Sequence, residues 1–203
     1  MSLPDIKVSD SAFAYLEIQR GGIWNERKDR KKWLDAYRRS LADDFETIQP
    51  WLTPGKPLRG VLDVGGGMAG IGLLLRHYQP GVPYWILDGV ADPPKMQSHS
   101  ETFSNAATCA LFWRDNDEPA PGFLVAGAPL MIDLVISTQA WCFHFNPEIY
   151  LDDVRNVLLP GALLIVDVRR DYGTWRRILR EAFEEVGIAK QTEKSERVVF
   201  RAA

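Results

Sequence analysis

Cysteine is scarce in this chain. Its 203 residues include two, Cys109 and Cys142, and three histidines, His77, His99 and His144. No Cys-x-x-Cys pair and no His/Cys set at ligand spacing is present, which argues against a zinc-finger or zinc-ribbon reading, and no metal is expected. Both cysteines sit among apolar and aromatic neighbours and read as buried thiols of a reducing compartment. No apolar run approaches the roughly 18 residues of a membrane span, and Met1 to Val8 lacks an apolar signal core. The expectation is a soluble, cytoplasmic protein with no membrane partner. Charge of one sign is also lacking. With 24 Lys+Arg against 27 Asp+Glu the formal net charge is -3, so no bulk attraction to nucleic acid exists, although a local basic face stays open. Repeats and low-complexity tracts are absent. Hydrophobic residues make up 46% and charged residues 25%, ordinary globular usage. A chain of this length fills one α/β domain with a modest extension and needs no staple. Nothing in it fixes an oligomeric state.

Two helices are expected first. Asp10 or Ser11 caps a short one that Gly21-Gly22 stops, and Trp33, Leu34, Tyr37, Leu41, Phe45 and Ile48 form one apolar stripe on a longer one. Pro50 and the Thr53 to Pro57 segment end it. Strands and helices then alternate. Strands are predicted at Gly60–Val64, Pro83–Asp88, Thr108–Trp113, Leu130–Ser137 and Ala162–Val168. Helices are predicted after the first strand, over Pro147–Leu159 and over Thr174–Val186. Two tail strands, near Ile188–Gln191 and Arg197–Arg201, are too close for a crossover helix and must be antiparallel. This predicts a doubly wound α/β fold, a mostly parallel seven-stranded sheet with an antiparallel C-terminal hairpin. Residues 1–57 read as an N-terminal helical extension or lid, and 58–203 as the ligand-binding domain.

The strongest motif is Val61-Leu62-Asp63-Val64-Gly65-Gly66-Gly67-Met68-Ala69-Gly70, in which a strand runs into glycines and a helix leaves them. Glycines allow a tight turn and close backbone approach to a ligand, and the helix N-terminus carries partial positive charge. Gly65-x-Gly67-x-x-Gly70 also fits the dinucleotide fingerprint. Asp63 argues against that fit. An acid two residues before the first glycine crowds a pyrophosphate but can meet an α-amino group. Asp88, about 20 residues on, can accept from ribose hydroxyls in either case.

The segment Asp63 to Gly70 resembles motif I of class I, Rossmann-like S-adenosylmethionine-dependent methyltransferases, usually Asp/Glu-x-Gly-x-Gly-x-Gly, with Ala69 at the third glycine position. The runs Trp-x-Phe-His-Phe, Leu-x-Pro-Gly and Ile-x-Asp-Val-Arg-Arg are similar to those of sugar and small-molecule O-methyltransferases. The resemblance covers about Val61 to Arg170. It implies S-adenosylmethionine as cofactor, held by Asp63, Gly65, Gly66, Gly67, Met68, Asp88, Gly89 and Ser137. Asp115, at the end of the expected third strand, would meet adenine, although Asp-Asn-Asp-Glu-Pro is equally a plain surface turn.

The methyl acceptor is expected beyond the carboxyl end of the fourth strand, where Trp141, Phe143 and Phe145 gather. There His144 has the side chain suited to proton abstraction near neutral pH. It reads as a general base, as an acceptor-orienting group or as a hydrogen-bonded structural histidine. Asp167 could support it. Arg169 and Arg170 read as holders of an anionic acceptor or as a solvated strand exit. Trp24 and Arg27 could reach the ligand from a lid hinged at Gly21 to Asn25. The run from Arg27 to Lys32 reads first as a solvated helix face. The expected partner is a small-molecule acceptor. The Asn/Asp-Pro-Pro-Tyr and Pro-Cys motifs of base methyltransferases are missing, as is the Tyr-x-x-x-Lys pair of many NAD(P) oxidoreductases. Methylation of nucleic acid or protein, and NAD(P)-dependent oxidoreduction, remain the alternatives.

Overall fold

The structure is a computed structural model that describes residues 4–19, 30–88, 106–124 and 128–203. Its centre is a sheet of seven strands. In chain order these are β1 (Val61–Val64), β2 (Tyr84–Leu87), β3 (Gly122–Phe123), β4 (Ile132–Ser137), β6 (Leu158–Arg169), β7 (Glu184–Gln191) and β8 (Ser195–Arg201). In space they run β3-β2-β1-β4-β6-β8-β7. The first five are parallel, with Val61 beside Tyr84 and Leu134, and Ser137 beside Val166. β8 lies antiparallel to both β6 and β7. The expected doubly wound sheet with its antiparallel hairpin is therefore present. One further strand, β5 (Ala140–Phe145), stands outside that order and lies beside β6.

β1 is buried along its whole length, as a central parallel strand must be. One face of the sheet is covered by α1 (Asp10–Gln19), α2 (Arg30–Ile48), α3 (Gly70–Tyr78) and α4 (Ala106–Asp115). Trp33, Tyr37, Leu41, Phe45 and Ile48 of α2 all enter this core, beside Leu74, Tyr84 and Trp113. The predicted stripe is thus the buried face. The other side is covered by α5 (Leu151–Val157) and α6 (Gly173–Ala182), where Trp141, Tyr150, Val154, Leu179 and Phe200 pack together.

Several sequence expectations are corrected. Thr108–Trp113 is part of helix α4, not a strand. Cys109, Phe112 and Trp113 are buried at helical spacing, and a short apolar run of this kind does not reveal its period. The true third strand is a two-residue contact beside β2. The helix expected over Pro147–Leu159 is a 3-10 turn (Pro147–Ile149) followed by α5, and Pro160-Gly161 lies inside β6. The helix expected to reach Val186 stops at Ala182, because Glu184 onward pairs with β8.

Candidate functional site at the switch between β1 and β4

The order of strands reverses between β1 and β4, and in open α/β sheets ligands bind beyond the carboxyl ends at such a point. The glycine loop sits there. Gly65 and Gly67 have φ of +71° and +58°, which side chains rarely adopt. The Gly65 amide donates to Leu87 O at 2.8 Å and fastens the loop to the end of β2. Packing also demands glycine. A Cβ on Gly65 would lie 2.5 Å from Ala140 Cβ, and one on Gly66 2.4 Å from Asp63 Oδ2. α3 starts at Gly70, where a Cβ would meet the Tyr37 hydroxyl at 2.5 Å. Helix α2 therefore reaches the helix N-terminus behind the loop.

Asp63 is buried directly under Gly66 and accepts a 2.7 Å hydrogen bond from the Tyr84 hydroxyl. Burial pushes its carboxyl up to about 7; the Tyr84 bond opposes the rise and the charge of Asp88 adds to it. Asp88 follows β2 and is half-buried. Two acids thus lie close enough for their charges to interact, an arrangement that a cationic ligand relieves and a pyrophosphate aggravates. Met68, expected among the cofactor contacts, has a buried side chain, and its carbonyl accepts from Trp113 Nε1 at 3.2 Å.

Two expected site residues turn out to be braces. Ser137 is fully buried. Its hydroxyl donates to Val64 O at 2.8 Å and accepts from the Trp141 amide at 2.9 Å, so it ties β4 to β1. Asp167 does not support His144. It is buried against Arg197, with Nε to Oδ1 at 2.7 Å and Nη2 to Oδ2 at 2.8 Å, and it accepts from the Gln139 amide at 3.0 Å. Arg197 also reaches Asp44 Oδ1 at 2.8 Å and Thr47 Oγ1 at 2.6 Å on α2.

Beyond these braces lies an aromatic edge. Trp141, expected to touch the acceptor, is instead fully buried and donates to Pro147 O at 3.0 Å. β5 is buried over Ala140–Cys142 and opens to solvent only from Phe143 onward, so Trp141 falls in its buried half. Phe143 and Phe145 are half-buried, and His144 between them is exposed. The His144 ring centre lies 4.8 Å from that of Phe143 and 6.3 Å from that of Phe145. Partial burial, and then the charge of Arg169, hold His144 below its usual 6.5. The Arg169 guanidinium lies 5.6 Å over Phe143 and 5.1 Å over Tyr172, and Tyr172 stacks on Trp175 at 4.2 Å. Cation-π contact and stacking make one continuous platform from Phe143 to Trp175.

No protein-family model matches the sequence, and no curated protein does. Solved structures do match. Magnesium protoporphyrin IX methyltransferase from Synechocystis PCC 6803, solved with S-adenosylmethionine bound, is 12% identical with a TM-score of 0.58, covering 98% of this chain and 100% of that one. The N-methyltransferase NodS from Bradyrhizobium japonicum WM9, solved with S-adenosylhomocysteine, is 14% identical with a TM-score of 0.53, covering 96% and 99%. A TehB-like methyltransferase from Corynebacterium glutamicum is 14% identical with a TM-score of 0.54, covering 85% and 97%. The fold is that of class I S-adenosylmethionine-dependent methyltransferases.

Within this methyltransferase fold the structure brings Asp63, Gly65, Gly66, Gly67 and Asp88 together. It gathers His144, Phe143 and Arg169 at the neighbouring edge. Asp115 does not join them. It ends α4, which leads back to the start of β3, and the next residue, Asn116, is tied to Lys7. The place assigned to it rested on a strand at Thr108–Trp113, which is part of α4. Gly89, Trp24, Arg27 and the hinge Gly21 to Asn25 lie outside the described residues. Sequence reasoning missed Tyr84, Tyr37, Arg197 and the Tyr172-Trp175 stack. Tyr84 carried a faint signal, a lone polar-tipped residue opening a buried strand.

Proposed function

We propose that this chain is an S-adenosylmethionine-dependent methyltransferase acting on a hydroxyl of a small acceptor. The observation that carries the reading is the glycine loop lying directly on the buried Asp63, with Asp88 beside it. When bound, the cofactor supplies a methyl group already activated on a sulfonium. The chain's own residues do the rest. Asp63 and Asp88 offer negative charge to its ammonium and its ribose, and the Gly65–Gly67 backbone permits close approach. The aromatic edge holds the acceptor and excludes water. His144, neutral near pH 7 because its pKa is lowered, takes the hydroxyl proton as the new oxygen–carbon bond forms. Two free buried cysteines fit a reducing, cytoplasmic setting. Among the described residues no helix is long and apolar enough to cross a membrane.

Thermal unfolding tests the cofactor. S-adenosylmethionine or S-adenosylhomocysteine at 100 times its dissociation constant adds about 2.7 kcal/mol. At roughly 2–4 °C per kcal/mol that is a shift of about 5–11 °C, and Asp88→Ala abolishes it. A shift with NADH or NADPH alone would sink the methyltransferase reading. The N-methyltransferase NodS among the structural neighbours raises an amine acceptor as the second reading. His144→Ala separates the two. It lowers kcat by about 10²–10⁴ if a hydroxyl must be deprotonated, and changes it little for an amine that is already neutral.

A further inference from the structure

Past the end of β6 the chain turns through Arg170 and Tyr172 into α6, and a cavity of about 270 Å³ opens there. Its charge is one-sided. Arg169, Arg170, Arg176, Arg177 and Arg180 line it, with Glu196 the one carboxylate among them. Asp171, Glu181 and Glu185, which hold several of these arginines, lie outside the lining. Carboxylates hold the guanidinium groups in place. Arg176 donates to Glu185 through Nε at 2.9 Å and Nη2 at 2.6 Å, and it also bonds Glu196. Arg180 spends only Nε on Glu185, at 2.6 Å, and Arg170 only Nη2 on Glu196, at 3.2 Å. Among the described residues this leaves both Arg180 Nη groups and Arg170 Nη1 with N–H groups to give. The side chains are 53% and 44% exposed, so a ligand can reach them. Gly173, the first residue of α6, also lines the cavity, and no side chain caps that helix start.

Planar guanidinium forks suit oxyanions. The volume falls below the roughly 300–1,000 Å³ that encloses a whole small ligand, so the cavity fits a head group. Arg169 belongs both to this cavity and to the platform beside His144. We propose that the cavity is an oxyanion site that seats a phosphate or carboxylate of the methyl acceptor while the acceptor's body lies on the aromatic edge. The acceptor is then an anionic small molecule. This rests on the methyltransferase reading above.

The test is a titration of the ¹⁵N-labelled full chain with inorganic phosphate at constant ionic strength, read at arginine Nε–H signals. Saturable shifts are expected, weakened at least tenfold in the double variant Arg170→Gln/Arg180→Gln. Arg180→Lys, which keeps the charge and loses the fork, is the milder variant and weakens binding severalfold. Shifts that never saturate, or an affinity the variants leave untouched, overturn the site. A parallel titration with S-adenosylhomocysteine, read at the Gly65–Gly67 amides, tests the underlying reading by itself. Saturable phosphate binding without it would sink the methyltransferase reading and assign the cavity to a free anion. Once an acceptor is turned over, phosphate must compete with it. The double variant must also narrow the preference for anionic over neutral analogues at least tenfold in kcat/KM. Failure of either overturns the assignment to the acceptor.

Discussion

Asp63 carries opposite demands at the scale of a single residue. The proposed function asks it to meet a cationic group from its place under Gly66, yet burial lifts its carboxyl to about 7. An unfolded aspartate titrates near 3.9. Between about pH 4 and 7 the folded chain keeps a proton that the unfolded chain has released, so stability falls as pH rises through that window and levels off above it. The full swing is roughly 4 kcal/mol. His144, with its lowered value, works in the opposite sense as pH falls below its usual 6.5, and Glu185, held at about 2 chiefly by Arg176, acts mainly below the window. The discriminating quantity is therefore the difference between the wild type and Asp63→Asn. Urea unfolding from pH 4 to 7.5 should show the wild type losing stability relative to the variant as pH rises. Parallel curves would mean that Asp63 is solvated and ionised throughout. The identity of this acid was legible from its offset to the first glycine. Its protonation was not, because Tyr84 and Asp88 meet it only across strands.

At the scale of elements, legibility followed period and length. The apolar stripe of α2, from Trp33 to Ile48, spans about four turns and reads unambiguously. The Thr108–Trp113 run, with β-branched Thr108 and aromatic Phe112 and Trp113, reads as a strand until its packing against α1 and Tyr84 is known. β3, two residues long, has no pattern to read. Side-chain roles suffered where a loop proved to be a strand. Trp141 was grouped with Phe143 as an acceptor contact, but it lies in the buried first half of β5, bonded to Pro147 O in the core beneath α5 and α6. Least visible was the tie between α2, β6 and β8 through Asp44, Arg197 and Asp167, because its members are scattered along the chain. Breaking a buried pair by removing one partner costs about 3–5 kcal/mol. Arg197→Leu strands two buried carboxylates and should lower Tm by roughly 6–20 °C. A drop under about 2 °C would show that water replaces the guanidinium and that α2 is held by its apolar face alone.

For the whole molecule the question is whether residues 1–57 are an appendage. The sequence reads them as an extension, and a lid must be able to leave the site. Half of that segment cannot leave cheaply. Trp33, Tyr37, Leu41, Phe45 and Ile48 are all at most 5% exposed, and they share a core with β1, α3 and α4. Burying a large apolar side chain is worth about 1.5–3 kcal/mol, so these five supply roughly 7–15 kcal/mol. That matches the whole stability of an ordinary domain, about 5–15 kcal/mol. Tyr37 also touches the start of α3 behind the glycine loop, and Arg197 locks α2 to the sheet. A chain beginning at residue 58 should therefore fail to fold. Circular dichroism with urea titration of residues 58–203 decides it. A non-cooperative, low-ellipticity profile is expected. A cooperative transition with S-adenosylhomocysteine binding intact would make α2 a detachable cover.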